Sequence, residues 1–216
     1  MKFNKDMLLL YAVTDRGSGN KQHLYEQIKA ALSGGVTIVQ LREKNLNEEE
    51  FLKEALEVKE ICRSFNVPLI INDNVNVAIK SGADGVHVGI MDTAVSEIRE
   101  KVGKDFIIGA TAKTVEQAQV AEISGADYLG IGAVFPSPTK KNAVRITNEQ
   151  LKEIASSVKI PTVAIGGITL ENAVTLKESG VDGIAVVSAI FSVEDIKTAA
   201  EQLKEKAREI ILKNLV

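Results

Sequence analysis

The sequence contains few of the residues, cysteine and histidine, that form disulfides and many structural metal sites. Its single cysteine, Cys62, excludes an internal disulfide and a metal site made of several cysteines. Cys62 lies in a stretch with helical spacing, together with Leu56, Lys59 and Phe65. We therefore expect Cys62 to be a buried helix residue and not a nucleophile.

Residues that exchange protons near neutral pH are also scarce. Of the two histidines, His23 falls in the first helical segment, where a surface position is expected. His87 falls within an apolar run, where a hydrogen-bonded core residue is expected. The sequence contains no GxSxG, HExxH or Walker motif. It thus shows no clear acid–base machinery and favours a reaction that needs little proton transfer.

Long hydrophobic runs and a strong charge of either sign are missing as well. The net charge of −3 argues against a general binder of nucleic acid or of membranes. The apolar run MLLLYAV ends at Thr14-Asp15-Arg16 without a small-residue cleavage site, which favours a first strand over a signal peptide. No other run approaches membrane-spanning length. A cytoplasmic protein is expected.

Eight short apolar runs, each followed by polar residues, dominate what the sequence does contain. Their near-continuous apolar character is typical of parallel strands that are covered on both faces. The predicted strands are 8–14, 36–42, 68–72, 84–88, 106–111, 127–133, 161–166 and 183–187. The amphipathic stretches between them predict helices over 20–33, 47–65, 74–81, 93–101, 114–124, 147–157, 169–179 and 194–213.

This alternation of strands and helices predicts an α/β fold, a TIM-type (β/α)8 barrel. No linker or low-complexity segment divides the chain, so residues 1–216 are interpreted as one domain. An open, doubly wound sheet is the alternative. The longest irregular stretch, 135–146, contains Pro136, Pro138 and a lysine pair, and we expect it to be an active-site loop.

A degenerate four-residue repeat precedes four of the strands. It reads GGVT at 34–37, SGAD at 81–84, SGAD at 124–127 and SGVD at 179–182. A glycine at the end of a helix supplies a left-handed turn, after which the chain enters a strand. The recurring unit predicts right-handed crossovers and a parallel sheet. Capping boxes are expected at Asn47/Glu50 and Thr114/Gln117.

Two glycine-containing loops suggest a phosphate site. Gly166-Gly167 stands at the carboxyl end of the seventh predicted strand, where it is expected to open a helix, and Val187-Ser188 stands at the end of the eighth. Glycine lets backbone N–H groups approach an anion closely, and a helix N-terminus favours negative charge. In (β/α)8 barrels these two loops are the usual place for a phosphate. The alternative is that the glycines only make tight turns.

A cation and a polyanion could bind together at neighbouring strand ends. Asp73 and Asp92 follow the third and fourth strands and could share an Mg²⁺ ion, which takes one or two protein carboxylates besides water and phosphate oxygens. Arg42, Lys44 and Lys140 could bind the polyanion. Each pair of unit charges about 4 Å apart contributes ~4 kcal/mol at an effective dielectric constant of ~20. For Asp73 and Arg42 the alternative is a structural ion pair.

In combination, these residues resemble the thiamine phosphate synthase family. The resemblance covers nearly the whole chain, in the family's order, through LYAVTDR, GVTIVQLREK, LIINDNVNVA, GADGVHVG followed by Asp92, GADYLGIGAVFPSPTKK, and PTVAIGGIT with VSAI. It implies an enzyme that joins 4-amino-5-hydroxymethyl-2-methylpyrimidine diphosphate to 4-methyl-5-(2-phosphoethyl)thiazole. The implied chemistry is dissociative: diphosphate departs, and the thiazole nitrogen then attacks the methylene carbon.

The resemblance also implies roles for individual residues. The pyrimidine diphosphate would be bound by Gln40, Arg42, Lys44, Asn72, Thr111 and Lys140. The thiazole phosphate would be bound by Ser137, Thr139, Gly167, Val187 and Ser188. Mg²⁺ would be bound by Asp73 and Asp92, and the catalytic contributions are assigned to Lys140, Arg42 and Thr111. Small-molecule substrates are the expected partners, without nucleic acid or membrane, and a homo-oligomer is left open.

Two alternatives to a synthase remain. A related thiazole tautomerase shares the barrel, but it depends on a histidine where this chain has Lys113, and it lacks the carboxylate at Asp92. A non-catalytic barrel that binds thiamine precursors would be expected to lose the metal ligands or Lys140. The chain keeps these residues, which favours the synthase.

Overall fold

The structure, a computed structural model, describes residues 2–16, 23–90, 92–136 and 144–212, and the eight predicted strands are all found there. They are β1 (Leu10–Val13), β2 (Ile38–Leu41), β3 (Leu69–Asn72), β4 (Gly85–Val88), β5 (Ile107–Ala112), β6 (Tyr128–Gly132), β7 (Thr162–Ile165) and β8 (Gly183–Val186). The strands follow one another in a closed parallel barrel, and β8 pairs with β1. The predicted (β/α)8 barrel is confirmed, and the open sheet is wrong.

Helices surround the barrel in the predicted order. They are α1 (Leu24–Ser33), α2 (Glu48–Ser64), α3 (Val75–Lys80), α4 (Val95–Val102), α5 (Val115–Ile123), α6 (Asn148–Ser156), α7 (Ser188–Phe191) and α8 (Ile196–Leu212). A 3₁₀ helix, Lys5–Leu8, precedes β1. The four-residue helix α7 was not predicted, because it is too short to show a periodic pattern. None of the described helices is long and apolar enough to cross a membrane.

The predicted helix over 169–179 is wrong. Only a 3₁₀ turn, Ala173–Leu176, forms in this stretch. The backbone N–H and the hydroxyl of Thr175 both donate to the carbonyl oxygen of Asn172, at 3.0 and 2.9 Å. An α-helix would need that oxygen for the N–H of Leu176. Short-range hydrogen bonds of this kind compete with helical ones, and here they tighten the turn.

One of the two predicted capping boxes is confirmed. Asn47 accepts from the N–H of Glu50, and the Glu50 carboxylate accepts from the N–H of Asn47. At α5 the Thr114 hydroxyl accepts from the N–H of Gln117, at 3.2 Å. The Gln117 side chain, however, accepts from the N–H of Lys113 at 2.9 Å, one residue earlier than a capping box requires.

The four-residue repeat ties strands together at the amino end of the barrel. Thr37, its last residue in the first copy, accepts from the N–H of Leu10 and donates its own N–H to the Leu10 carbonyl, both at 2.9 Å. The same two-bond clasp, with side-chain distances of 2.8, 2.7 and 2.9 Å, joins Asp84 to Leu69, Asp127 to Ile108 and Asp182 to Thr162. The glycine before each clasp has a positive φ, as predicted. Each clasp joins an even-numbered strand to the odd-numbered strand before it.

Hydrophobic residues fill two layers. The barrel interior is occupied by Leu8, Tyr11, Val13, Ile38, Ile70, Ile107, Tyr128, Val163 and Ala185. A larger cluster lies between the strands and the helices, and it contains Cys62, which is fully buried. Burial raises the pKa of the Cys62 thiol to about 12, so it is protonated at neutral pH. The predicted structural role of Cys62 is confirmed.

Arg99 on α4 is expected to be a major contributor to stability. Its guanidinium donates to the carbonyl oxygens of Gly103, Phe106 and Gly125 and to the clasp residue Asp127 at 2.7 Å. Arg99→Ala should lower the free energy of unfolding by about 2–3 kcal/mol, because partly buried acceptors lose a charged donor. Urea denaturation measures this. Arg63→Ala is the control, since the Arg63 side chain is 73% exposed and pairs with Glu60 in the same helix. Equal losses in both variants would contradict the role.

Candidate active site

The predicted site residues that the structure describes lie together at the carboxyl end of the barrel. Parallel strands end on the same rim, so polar residues that follow different strands become neighbours there. Gln40, Asn72 and Thr111 lie within β2, β3 and β5, near the strand ends, while Gly167 follows β7 and Val187 and Ser188 follow β8. Ser137, Thr139 and Lys140 lie outside the described residues.

Asp73 is held at this rim by three contacts. Lys44 Nζ donates to Asp73 Oδ2 at 2.6 Å, and the Asn72 side-chain amide donates to Asp73 Oδ1. The Asp73 backbone N–H donates to the carbonyl oxygen of His87 at 2.9 Å. Its φ of 62° lies in the left-handed region, which aspartate tolerates better than most residues. Asp73 is therefore in an ion pair, as the alternative held, but its partner is Lys44 and not Arg42.

Asp92 lies beside the same strand end. Its Oδ2 accepts from the backbone N–H of Gly89 at 2.6 Å, and its charge acts on the imidazole of His87. Asp73 and Asp92 are thus both placed against the end of β4. The described residues contain no group of three or more His, Cys, Asp or Glu that could hold a metal ion. Two carboxylates that leave most positions to water and phosphate oxygens fit Mg²⁺.

Arg42 lies on the neighbouring strand end. Its guanidinium Nη1 is 3.5 Å from Asp15 Oδ1, and its backbone N–H donates to Thr14 Oγ1 at 2.9 Å. The side chain remains 26% exposed. Arg42 therefore has a carboxylate partner, as the structural alternative required, and it keeps an accessible face for an anion.

The sequence analysis missed a second charged cluster, which consists of Arg16, Glu43 and Glu54. Arg16 donates from Nε to Glu43 Oε2 at 2.7 Å and from Nη2 to Glu54. Among the described residues, Glu43 Oε1 and Glu54 Oε2 are buried without a hydrogen-bond partner. Burial, with a contribution from the Glu54 charge, raises the pKa of Glu43 to about 7. The sequence signal was Glu43 itself, an acid between Arg42 and Lys44 in a segment expected to bind anions.

The raised pKa of Glu43 predicts a pH dependence of stability. Above its ordinary value of 4.5 and up to about 7, the folded chain binds more protons at Glu43 than the unfolded chain, so this term weakens the fold as pH rises. The difference in free energy of unfolding, Glu43→Gln minus wild type, should therefore increase as the pH is raised from 5 to 8. Urea denaturation of both proteins across this range measures the difference. A constant or falling difference would contradict the raised pKa.

The barrel interior contains a chain of hydrogen bonds that links two predicted site residues. Gln40 Nε2 donates to the Tyr11 hydroxyl at 2.7 Å, and the hydroxyls of Tyr11 and Tyr128 are 2.7 Å apart. The Tyr128 hydroxyl lies 3.1 Å from His87 Nδ1, and His87 Nε2 lies 3.1 Å from Thr111 Oγ1. We call these five residues the core chain. The prediction that His87 is a hydrogen-bonded core residue is confirmed.

The core chain is uncharged at neutral pH. Burial lowers the pKa of His87 to about 4 and raises the pKa of both tyrosines well above the ordinary value. The two tyrosines were not identified from the sequence. The available signal was a tyrosine within the apolar runs of β1 and β6, because a buried phenol hydroxyl needs a hydrogen-bond partner.

The two loops of the predicted phosphate site differ in structure. Gly166-Gly167 does not open a helix, which corrects the expectation, and the Gly167 carbonyl instead accepts from Asn172 Nδ2 at 2.8 Å. A Cβ atom on Gly167 would lie 2.2 Å from the carbonyl oxygen of Pro136, so the start of the long loop crosses directly over this position. After β8 the helix α7 starts at once with Ser188. A short extra helix here is a common part of phosphate sites in (β/α)8 barrels.

Comparison with known proteins identifies the family of the chain. The family model described as thiamine monophosphate synthase matches residues 10–190. The chain is 47% identical over 208 residues to the thiamine-phosphate synthase of Clostridium acetobutylicum, covering 95% of each protein. It is 45% identical over 212 residues to the bifunctional thiamine biosynthetic enzyme TH1 of Arabidopsis thaliana, covering 96% of this chain and 41% of the plant protein.

A solved structure supports the same relationship. The thiamine phosphate pyrophosphorylase from Pyrococcus furiosus superimposes with a TM-score of 0.86 at 38% sequence identity, over 95% of this chain and 98% of that one. A sequence identity of 38% indicates a family relationship in addition to a shared barrel fold. The chain therefore belongs to the thiamine monophosphate synthase family.

Proposed function

We propose that this chain condenses 4-amino-5-hydroxymethyl-2-methylpyrimidine diphosphate with 4-methyl-5-(2-phosphoethyl)thiazole to give thiamine phosphate and diphosphate. The observation that carries the proposal is the grouping of Asp73, Asp92 and Lys44 at one rim of the barrel, beside Arg42. Such a mixed set of carboxylates and cations suits a metal-bound diphosphate. Family membership supports the same reaction.

The residues that we assign to the pyrimidine diphosphate divide by chemistry. Arg42 and Lys44 supply positive charge to the diphosphate, and Asn72 offers an amide at the same strand end. Gln40 and Thr111, at the two ends of the core chain, hold the pyrimidine ring. From the family resemblance, Lys140 also binds the diphosphate, while Ser137 and Thr139 bind the thiazole phosphate together with the loops after β7 and β8.

Asp73 and Asp92 would hold Mg²⁺. When bound, Mg²⁺ stabilises the negative charge on the departing diphosphate. The Asp73 carboxylate is already paired with a positively charged group, since Lys44 Nζ lies 2.6 Å from its Oδ2. The chain therefore provides two carboxylates that would hold the metal ion, and adjacent ammonium and guanidinium groups that act on the leaving group directly.

The proposed chemistry needs no general base. The bond between the methylene carbon and the diphosphate oxygen breaks, and its electron pair leaves with the diphosphate. The amino group of the pyrimidine spreads the positive charge, and the lone pair of the thiazole nitrogen forms the new bond. That nitrogen carries no proton, so none has to be removed. A neutral His87 is consistent with this.

The direct test is to mix both substrates with Mg²⁺ and the purified chain, and to measure thiamine phosphate and released diphosphate. Formation of both products in equal amounts supports the proposal. Isomerisation of the thiazole phosphate alone would favour the tautomerase. Binding of either compound without turnover would favour the non-catalytic barrel. We further propose a cytoplasmic location, and a homo-oligomer is testable by light scattering.

A further inference from the structure

We propose that Tyr11, Tyr128 and His87 are positioning residues that set the hydrogen-bond polarity of the pyrimidine pocket. Through the core chain they determine that Gln40 presents an acceptor and Thr111 a donor to the ring. This inference deepens the proposed function and rests on it. It concerns three residues that lie below the rim and are not among those assigned to bind substrate.

The direction of the core chain follows from counting protons. An amide nitrogen only donates, so Gln40 Nε2 makes Tyr11 an acceptor. The buried phenolic proton of Tyr11 then needs an acceptor of its own, and we assign it to the Tyr128 hydroxyl, 2.7 Å away. The Tyr128 proton then goes to His87 Nδ1. Because His87 Nδ1 accepts from Tyr128, it carries no proton of its own, and the ring proton on Nε2 is donated to Thr111 Oγ1, 3.1 Å away.

This direction decides what each end can offer a ligand. Gln40 Nε2 faces Tyr11 and donates one of its two N–H groups there, and the carbonyl oxygen of the same amide is the acceptor that we assign to the ligand. With its oxygen accepting from His87, the Thr111 hydroxyl has its own proton to donate. A 4-aminopyrimidine presents the complementary pair, an exocyclic amino donor and a ring-nitrogen acceptor. A 4-oxopyrimidine presents the opposite pair, a carbonyl acceptor and a ring N–H donor, and it fits only a reversed chain.

The barrel interior is built to keep this arrangement. A Cβ atom on Gly109 would lie 2.1 Å from Tyr128 Cζ and 2.5 Å from His87 Nδ1, so only glycine leaves room for both rings. The Phe3 ring stacks on Tyr128, with centroids 5.7 Å apart. Tyr11 and Tyr128 are 1% and 0% exposed, which keeps bulk water from replacing a partner in the chain.

The test compares the binding of two unreactive pyrimidines, 4-amino-5-hydroxymethyl-2-methylpyrimidine and its 4-oxo counterpart, by calorimetry with inorganic diphosphate and Mg²⁺ present. Wild type should prefer the amino compound. Tyr128→Phe keeps the ring and its stacking but breaks the chain, and it should lower this preference on the order of tenfold. The control is Thr162→Val, which removes a buried β7 hydroxyl that has no partner among the described residues, and it should leave the preference unchanged.

An unchanged preference in Tyr128→Phe would overturn the inference, even if both compounds bound more weakly, because equal weakening reports only packing. If Tyr128→Phe does not fold, Tyr11→Phe is measured in the same way, since it removes the acceptor of Gln40. The synthase assay on the same wild-type preparation separates the two levels. Turnover with an unchanged preference in the variant defeats only this inference, whereas no turnover by wild type defeats the proposed function.

Discussion

Replacement of Asp73 or Asp92 by asparagine is expected to lower the rate of thiamine phosphate formation by on the order of 10²-fold or more. Either change removes a carboxylate that would hold the cation next to the leaving diphosphate. Asparagine keeps an oxygen for the N–H of Gly89 at position 92, and at position 73 it tolerates the positive φ. The fold should therefore survive, and turnover at saturating substrate with Mg²⁺ measures the effect.

The matched control is Asp182→Asn. Asp182 lies at the amino end of the barrel, where its carboxylate accepts from the N–H of Thr162 at 2.9 Å. It should leave turnover unchanged. Calorimetry with Mn²⁺ and inorganic diphosphate should show weaker metal binding in the two rim variants than in the control. Full activity of wild type in excess chelator would show that the assignment of a metal to Asp73 and Asp92 is wrong.

Lys140→Ala is expected to remove most of the synthase activity, by on the order of 10²-fold, while Lys113→Ala leaves most of it. The first change strips positive charge from the departing diphosphate. The second alters the position that would hold the tautomerase histidine, and a synthase needs no proton carrier there. Turnover measured on both variants under the same conditions gives the comparison.

These two lysines also discriminate between the alternatives. The reverse result, with Lys113→Ala inactive and Lys140→Ala nearly silent, would show that the chemistry is not diphosphate departure. It would favour proton transfer, for which Lys113 would need a strongly lowered pKa. Melting temperatures close to that of wild type would show that a loss of activity in either variant is not caused by unfolding.

The barrel could be predicted from the sequence because the signals that define it are local and repeated. Each strand is a short apolar run, and four of the turns before strands carry the same repeat. The helix predicted over 169–179 was wrong because the deciding signal there is not a repeated local pattern. The stretch has helical spacing, but the competition of Thr175 for the Asn172 carbonyl depends on side-chain geometry that a pattern does not reveal.

Within the site, too, the sequence predicted what depends on strand order and missed what depends on side-chain contacts between distant residues. Asp73 and Asp92 could be placed because residues that follow neighbouring parallel strands must share a rim. The pairing of Arg16 with Glu43 and Glu54 joins residues that are 27 and 38 positions apart. The core chain joins Tyr11 to Tyr128 across 117 positions. Contacts of this range depend on barrel closure and on side-chain direction, which apolar patterns do not encode.

The clasps at the amino end have a consequence for how this protein can change over time. Because Thr37, Asp84, Asp127 and Asp182 align neighbouring strands at the amino end, this part of the strand alignment does not depend on the side chains that we assign to the substrates. Substitutions at the substrate-binding end can then alter affinity or selectivity without shifting one strand against another. Such a separation leaves new specificities accessible by single changes, whereas loss of the side-chain acceptor of a clasp would weaken the barrel itself.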